Sequence, residues 1–101
     1  MLQAQIFVDK DELRGSQPLY EFIMQFLLLH KVSGATAFSA MMGFGKNQQM
    51  KRPGELFSFD ETPMVITFID EEEKVRDVLT KLRAEYKGGL IIIHNVDQFD
   101  A

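Results

Sequence analysis

The chain has 101 residues, a formal net charge of −4 and no cysteine. This length suits one hydrophobic core, so we expect a single domain over residues 1–101. The charge argues against general nucleic-acid binding, which depends on clustered Lys and Arg, and the lack of cysteine excludes disulfides and thiolate metal sites. No apolar run has the length of a membrane-spanning helix and no signal peptide is evident, so we expect a cytoplasmic protein without membrane insertion.

The first half of the chain predicts a strand, a helix and a second strand. Residues 2–9, LQAQIFVD, alternate in the period of a strand with one buried face. Over about residues 16–31 apolar side chains recur every three or four positions, which predicts the first helix. Gly34 is the expected helix stop, because glycine adopts positive φ without a Cβ clash. The segment 35–43, ATAFSAMMG, is interpreted as the second strand.

The second half predicts a third strand, a second helix and a fourth strand. Pro63 introduces MVITFID, a run of strand length rich in β-branched residues, and the following residues adopt helical spacing up to Tyr86. Asp70 is the predicted N-cap of this helix, with Glu73 as its capping-box partner. A pair of glycines ends the helix, and LIIIHNV over residues 90–96 is the fourth strand.

The order βαββαβ predicts an α+β, ferredoxin-like fold. Two right-handed crossovers give a four-stranded antiparallel sheet in the order 4-1-3-2, with both helices on one face. The third and fourth strands are apolar on both faces, as the runs MVITFI and LIII show. Since a large exposed apolar patch usually marks an interaction surface, we expect the uncovered sheet faces to pack together in an oligomer.

The connection between the second and third strands, residues 43–63, is long for a compact domain and therefore a functional candidate. Its start, GFGK, combines Gly43, Phe44, Gly45 and Lys46. The glycines allow backbone N–H groups to approach a ligand closely, and the lysine follows where a negative charge can be met. The alternative is a glycine kink at a strand end followed by a solvated basic loop.

No catalytic constellation or metal site is evident from the sequence. His30 and His94 are the only histidines, and neither has the spacing of a triad or a metal site. A histidine near a helix end or on a strand face is more often structural. The sequence therefore favours a protein that is not an enzyme.

Four segments together resemble a known family. They are GSQPLYEFI, SGATAFSAMMGFG, FSFDETPMVITFIDEEEKV and GGLIIIHNV. The chain resembles PII-type signalling proteins, and more closely the PII-like family labelled as a domain of unknown function. This resemblance implies a ferredoxin-like fold, a homotrimer whose sheets line a central core, and adenine nucleotides bound in clefts between subunits.

The resemblance also implies a site and a mode of action. The base of a long T-loop and the loop before the fourth strand of a neighbouring subunit would form the nucleotide pocket. The residues that match these segments are Gly43, Phe44, Gly45, Lys46, Gly88 and Gly89. AMP, ADP or ATP would then act as effector, and ordering of the loop would control a partner protein such as a membrane transporter.

Two alternatives come from other functional classes. Acylphosphatases share this size and strand order and use an arginine with an asparagine, for which Arg14 and Asn47 are the candidates. That reading conflicts with DKDELRGSQPLY, which places acids after the first strand where a phosphate would bind. The other alternative is a purely structural oligomerisation module.

Overall fold

A computed structural model describes residues 1–42 and 63–100. The elements are β1 (Leu2–Asp9), β2 (Leu13–Arg14), β3 (Gln17–Pro18), α1 (Leu19–Leu29), β4 (Ala35–Ser39), β5 (Pro63–Asp70), α2 (Glu72–Glu85) and β6 (Leu90–Asn95). The predicted βαββαβ order is confirmed in β1, α1, β4, β5, α2 and β6. The short ribbon of β2 and β3 is an addition that the sequence pattern did not predict.

The four long strands form one antiparallel sheet in the order β4-β5-β1-β6. In chain order this is 4-1-3-2, as predicted, and the fold is ferredoxin-like. β1 and β4 end, and β5 and β6 begin, at the same end of the sheet, which we call the connection end because residues 43–62 leave and return there. The other end, where β1 and β4 begin, is called the opposite end.

The core lies between the sheet and the two helices. β1 alternates strictly between buried and half-buried residues, and β5 does so over most of its length. Each fully buried large aliphatic side chain contributes roughly 1.5–3 kcal/mol relative to exposure. The largest fully buried side chains are Phe68, Ile6, Leu19, Ile23, Leu27, Ile66, Leu82, Val75 and Val78.

No element of residues 1–42 and 63–100 covers the face of the sheet away from the helices, and we call it the open face. Strand register assigns to it Gln3, Gln5, Phe7, Thr36, Phe38, Val65, Thr67, Ile69, Leu90, Ile92 and His94. Phe38 and Leu90 are 57% and 58% exposed. The expectation that strands three and four are apolar on both faces is confirmed, and burial of the open face would require another surface.

The open face is ordered in rows that cross the sheet. At the connection end one row is wholly apolar and consists of Phe38, Val65, Phe7 and Leu90. The next row consists of Thr36, Thr67, Gln5 and Ile92. Towards the opposite end the Gln3 side-chain amide donates to the Thr67 hydroxyl at 2.9 Å. The open face is therefore apolar at one end and partly polar at the other.

The first helix ends earlier than predicted, and Gly34 is not its stop. α1 ends at Leu29, with His30 as C-cap, and the residue with positive φ is Lys31 at 63°. Gly34 is not among the glycines with positive φ in the described residues. The prediction failed because glycine preference is statistical, whereas here the hydrogen bonds of the helix end hold a lysine in the left-handed region.

Those hydrogen bonds form a Schellman motif. The Lys31 N–H donates to the Leu28 carbonyl at 3.1 Å, and the Val32 N–H donates to the Leu27 carbonyl at 3.3 Å. This pairing satisfies carbonyls that have no partner within the helix. The motif needs its left-handed residue at the position of Lys31, where a Cβ is costly.

The predicted capping box of the second helix is also wrong. Asp70 stays in β5, and Glu71 in extended conformation is the N-cap, without a side-chain cap hydrogen bond. The Asp70 carboxylate instead accepts the N–H of Ser33 at 3.0 Å and the N–H of Glu71 at 2.8 Å. The Asp70 carboxylate, which the sequence pattern assigned to the N-terminus of α2, thus binds the segment that leads into β4.

The first prediction concerns the end of α1. Replacing Lys31 by glycine removes the left-handed strain of a side chain, so Lys31→Gly should raise the free energy of unfolding by about 1 kcal/mol. Urea denaturation at one fixed chain concentration measures this. Lys31→Ala shortens the side chain but keeps the Cβ, so it should give no such gain; an equal gain in both variants would contradict the explanation.

The second prediction concerns two glycines that differ in environment. Gly89 has φ of 68°, and an added Cβ would lie 2.6 Å from the Phe7 carbonyl oxygen, whereas a Cβ on Gly34 would meet nothing within 4 Å. Gly89→Ala should lower the free energy of unfolding by about 2 kcal/mol or more, and Gly34→Ala should change it by about 0.5 kcal/mol at most. Similar values for the two variants in urea denaturation would show that the close approach is relieved at little cost.

Candidate functional site

Of the six site residues predicted from the sequence, two lie in the described part of the chain. Gly88 and Gly89 form the turn between α2 and β6, at the connection end of the sheet. Gly43, Phe44, Gly45 and Lys46 lie outside the described residues. The site can therefore be described from the turn and from the backbone that flanks residues 43–62.

The flanks of residues 43–62 are held together at the sheet. The Ala40 N–H donates to the Pro63 carbonyl at 3.0 Å, which continues the pairing of β4 with β5 by one step. In the strand order, β1 stands between β5 and β6. With strands about 4.8 Å apart, β5 lies about 10 Å from β6, so the glycine turn and these flanks share one end of the sheet without adjoining each other.

The glycine turn is packed closely against the end of β1. The chain passes the Phe7 carbonyl at a distance that leaves no room for a Cβ on Gly89. At Gly88 a Cβ would lie 2.7 Å from the hydroxyl oxygen of Tyr86. Gly89 therefore requires glycine, both for its close approach to backbone and for its positive φ, whereas a Cβ on Gly88 would displace the Tyr86 side chain.

Arg83 fixes the orientation of this turn. Its guanidinium donates to the carbonyl oxygens of Tyr86, at 3.4 Å, and of Gly88. In a planar trans peptide the C=O and the following N–H point in opposite directions. Two carbonyls held by Arg83 therefore direct the N–H groups of Lys87 and Gly89 away from the guanidinium.

Those N–H groups are available to a ligand. The backbone amides of Lys87, Gly88 and Gly89 donate to no acceptor among residues 1–42 and 63–100. The Lys87 side chain is exposed and forms no ion pair within that part of the chain. Successive N–H groups in a turn make an anion-binding concavity, and a neighbouring ammonium adds charge. The turn can therefore hold a phosphate or a similar small anion.

Arg14 is engaged in structural contacts. Its guanidinium donates to the Glu85 carbonyl at 2.8 Å, lies 3.6 Å from the Glu85 carboxylate and stacks 4.2 Å from the centre of the Phe22 ring. These contacts tie the β2–β3 ribbon to the last turn of α2 and the first turns of α1. The acylphosphatase reading needs this guanidinium for a phosphate, while Asn47 lies outside the described residues.

The histidines have separate surroundings. The His30 ring packs 4.2 Å from the Phe26 ring, centre to centre, and His94 lies on the open face opposite Gln3. Within residues 1–42 and 63–100 no three side chains of His, Asp or Glu are grouped as a metal site requires. In the same part of the chain no helix is long and apolar enough to cross a membrane.

Sequence reasoning missed Arg83, and it considered Arg14 only as the arginine of the acylphosphatase alternative. Arg83 stands in the last turn of α2, where a basic residue commonly reaches the final carbonyls of a helix, so this signal was present in the sequence. Arg14 offered no such signal, since its partners are distant in sequence and depend on the ribbon. Gly15, with φ of 65°, lies in the loop joining the two ribbon strands.

Several solved structures share this fold. CPII from Thiomonas intermedia K12, bound to ADP and bicarbonate, matches with a TM-score of 0.64 and 21% identity over 92% of this chain and 82% of that chain. The same PII-like protein bound to ADP, AMP and bicarbonate gives 0.66 and 20% over the same shares. The divalent ion tolerance protein CutA1 from Ehrlichia chaffeensis gives 0.66 and 16% over 98% and 83%.

Sequence similarity is more specific. A UPF0166 protein from Aquifex aeolicus (strain VF5) is 31% identical over 93 residues, covering 91% of this chain and 87% of that protein. The model of the family DUF190, described as uncharacterized ACR, COG1993, matches residues 1–98. The resemblance to the PII-like domain of unknown function is thus confirmed. The chain belongs to the DUF190 family.

Proposed function

We propose that this protein is a non-enzymatic PII-like regulator that binds an adenine nucleotide. One PII-like domain spans residues 1–101, assembles as a homotrimer in the cytoplasm and binds AMP, ADP or ATP in clefts between subunits. The nucleotide orders the T-loop-like segment 43–63, and this change controls a partner protein, for example a membrane transporter. The observation on which the proposal depends is the glycine turn with its outward N–H groups.

The phosphate part of the nucleotide fits the chemistry of this turn. Arg83 directs the amides of Lys87 and Gly89 away from its guanidinium, and the Lys87 side chain belongs to the same turn. Charge-assisted hydrogen bonds from N–H groups and an ammonium are the usual means of binding phosphate. Structures of a PII-like protein with the same fold hold ADP and AMP, which supports an adenine nucleotide as the ligand class.

The position of the turn favours a cleft between copies. Within one chain, β1 separates the turn from the flanks of residues 43–62. A ligand between two subunits could contact Gly89 of one copy and Lys46 of the other. The apolar row of the open face ends at the same connection end, at Leu90 and Phe38. Covering that row by other copies would bring the connection ends of several chains together.

Regulation follows from the position of the GFGK sequence. Gly43 to Lys46 directly follow the last described residue of the β4 side, Met42. A phosphate that binds Lys46 and the adjacent amides therefore restricts the start of segment 43–63. Restricting a segment changes which surface a target protein meets, which is the principle of order–disorder switches.

The third prediction tests nucleotide binding. Isothermal titration calorimetry with AMP, ADP and ATP should show binding of at least one of them to the wild type. Lys46→Ala should weaken that binding about tenfold, equivalent to about 1.4 kcal/mol, because one charge-assisted phosphate contact is lost.

The matched control for this variant is Lys51→Ala, which removes a lysine of the same connection outside the GFGK sequence. It should bind as the wild type does. Absence of binding by all three nucleotides would refute the proposed ligand, and equal binding by wild type and Lys46→Ala would refute the role of Lys46.

The fourth prediction tests the orientation of the turn. Arg83→Met keeps a long side chain but frees the carbonyls of Tyr86 and Gly88, so the amides of Lys87 and Gly89 lose their fixed direction. ADP affinity in calorimetry should fall about tenfold, while affinity for adenosine, which has no phosphate, should change little.

Arg76→Met is the control, since Arg76 lies on the same helix and pairs with Glu72 on the surface. It should leave ADP affinity unchanged. If Arg83→Met weakens adenosine and ADP equally, Arg83 supports the fold of the pocket as a whole and does not orient the phosphate-binding amides.

A further inference from the structure

A depression lies on the open face at the opposite end of the sheet. It has a volume of about 410 Å³ and is lined by Gln3, Ser33, Gly34, Ala35, Thr36, Thr67, Phe68 and Ile69. Continuing the β4–β5 register by one step beyond Ala35 and Phe68 places Gly34 opposite Ile69. Gly34 has no side chain, which leaves space at this position. Ile69 is 41% exposed and forms the apolar part of the depression, and the hydrogen-bonded pair of Gln3 and Thr67 forms its polar part.

The segment after β6, residues 96–100, presents an apolar side chain at the same end of the sheet. The Val96 N–H donates to the Met1 carbonyl at 3.1 Å and extends the pairing with β1 by one step. Beyond it Phe99 is 91% exposed, between Asp97 and Asp100. A phenylalanine buries about 150–250 Å² when covered, so this side chain offers a large apolar surface that residues 1–42 and 63–100 leave exposed.

These two features lie on opposite edges of the sheet. The segment 96–100 leaves β6, and the depression borders β4, which is the other edge strand. Three strand spacings of about 4.8 Å separate them within one chain. A contact between them in different copies is heterologous, since different surfaces meet, and such contacts close into a ring when the rotation between copies allows it.

We infer that segment 96–100 of one copy binds in the depression of the next copy, with Phe99 over Gly34 and Ile69. This inference rests on the oligomer of the proposed function and assigns to it a specific contact between subunits. Among the strands of the described residues β4 is an edge, and an edge strand can pair through its backbone with an extended segment. Lys31, two residues before Ser33, makes no ion pair within the described residues and offers a cation to Asp97 or Asp100.

The chain itself provides the occupant that fits. The depression combines an apolar patch with side-chain amide and hydroxyl groups, and Lys31 lies two residues before its lining residue Ser33. The segment DQFD combines one aromatic ring with two carboxylates and an amide. Because each copy has both surfaces, every subunit of a ring would donate one segment and receive one. This arrangement leaves neither surface exposed in the closed assembly.

Disulfide cross-linking tests the contact directly, because the natural chain has no cysteine. A Thr36→Cys chain is mixed with a Gln98→Cys chain, dissociated in mild denaturant, reassembled and oxidised. A cross-linked dimer should form between the two variants, since the proposed contact brings these positions together. A mixture of Thr80→Cys, which lies on exposed α2 surface, with Gln98→Cys should remain uncross-linked.

Sedimentation velocity over a concentration series gives a second, independent readout. Phe99→Ala and Gly34→Leu, which fills the depression, should each raise the dissociation constant of the oligomer at least tenfold. Leu13→Ala removes another exposed apolar side chain and should have no effect. Circular dichroism identifies any variant that fails to fold. If a variant is excluded on this ground, the cross-linking result alone decides whether the contact exists.

The outcomes separate this inference from the proposed function. An oligomeric wild type without Thr36–Gln98 cross-links, and with Phe99→Ala assembling normally, would overturn the inference and leave the proposed oligomer intact. A wild type that is monomeric at all concentrations would overturn both. A double variant carries Thr36→Cys and Gln98→Cys in the same chain. Cross-links within single chains of this variant, with none between the mixed single variants, would place the segment in its own depression and overturn the contact between copies.

Discussion

The register of β1 determines most of this structure. Ile6 lies opposite Ile66 on one side and Ile91 on the other, so a shift by one residue would turn the buried side chains of the central strand towards the open face. The same register places Phe7 beside Leu90 and brings the glycine turn against the Phe7 carbonyl. Core, open face and candidate site thus depend on the register of one strand with its two neighbours.

The second constraint is the need to satisfy carbonyl groups at the end of α2. The last carbonyls of a helix have no partner inside it, and here guanidinium groups take three of those at and beyond the helix end. Arg14 binds the Glu85 carbonyl, and Arg83 binds those of Tyr86 and Gly88. A requirement of folding therefore also orients the amides that we assign to phosphate. The same contacts that end α2 also orient the turn, so the candidate site needs no separate residues for this purpose.

The sequence was sufficient for the parts of the fold that depend on periodicity. Alternation in LQAQIFVD and the helical spacing after Asp70 predicted strands and helices correctly. The right-handed crossover rule then predicted the strand order of the sheet. Sequence reasoning failed where a local signal competed with tertiary contact: Asp70 binds the Ser33 amide and does not cap α2, and Lys31 takes the left-handed position that Gly34 was expected to fill. For the candidate site, Gly88 and Gly89 came from the resemblance to the PII-like family and stay predicted ligand-binding residues, whereas the contact of Arg14 with Glu85 joins residues 71 positions apart. Lys46 stays a prediction.

The rows of the open face have a consequence for assembly. The apolar row that ends at Phe38 and Leu90 and the partly polar row beside it are offset by two residues along each strand, about 7 Å. Sheets that slide past one another by this amount would place Thr67 and Gln5 against an apolar partner row and leave their hydrogen-bonding groups without water. Misaligned assemblies would therefore be less stable at each subunit, and in an oligomer the hydroxyl and amide groups of the open face would favour one alignment of the chains.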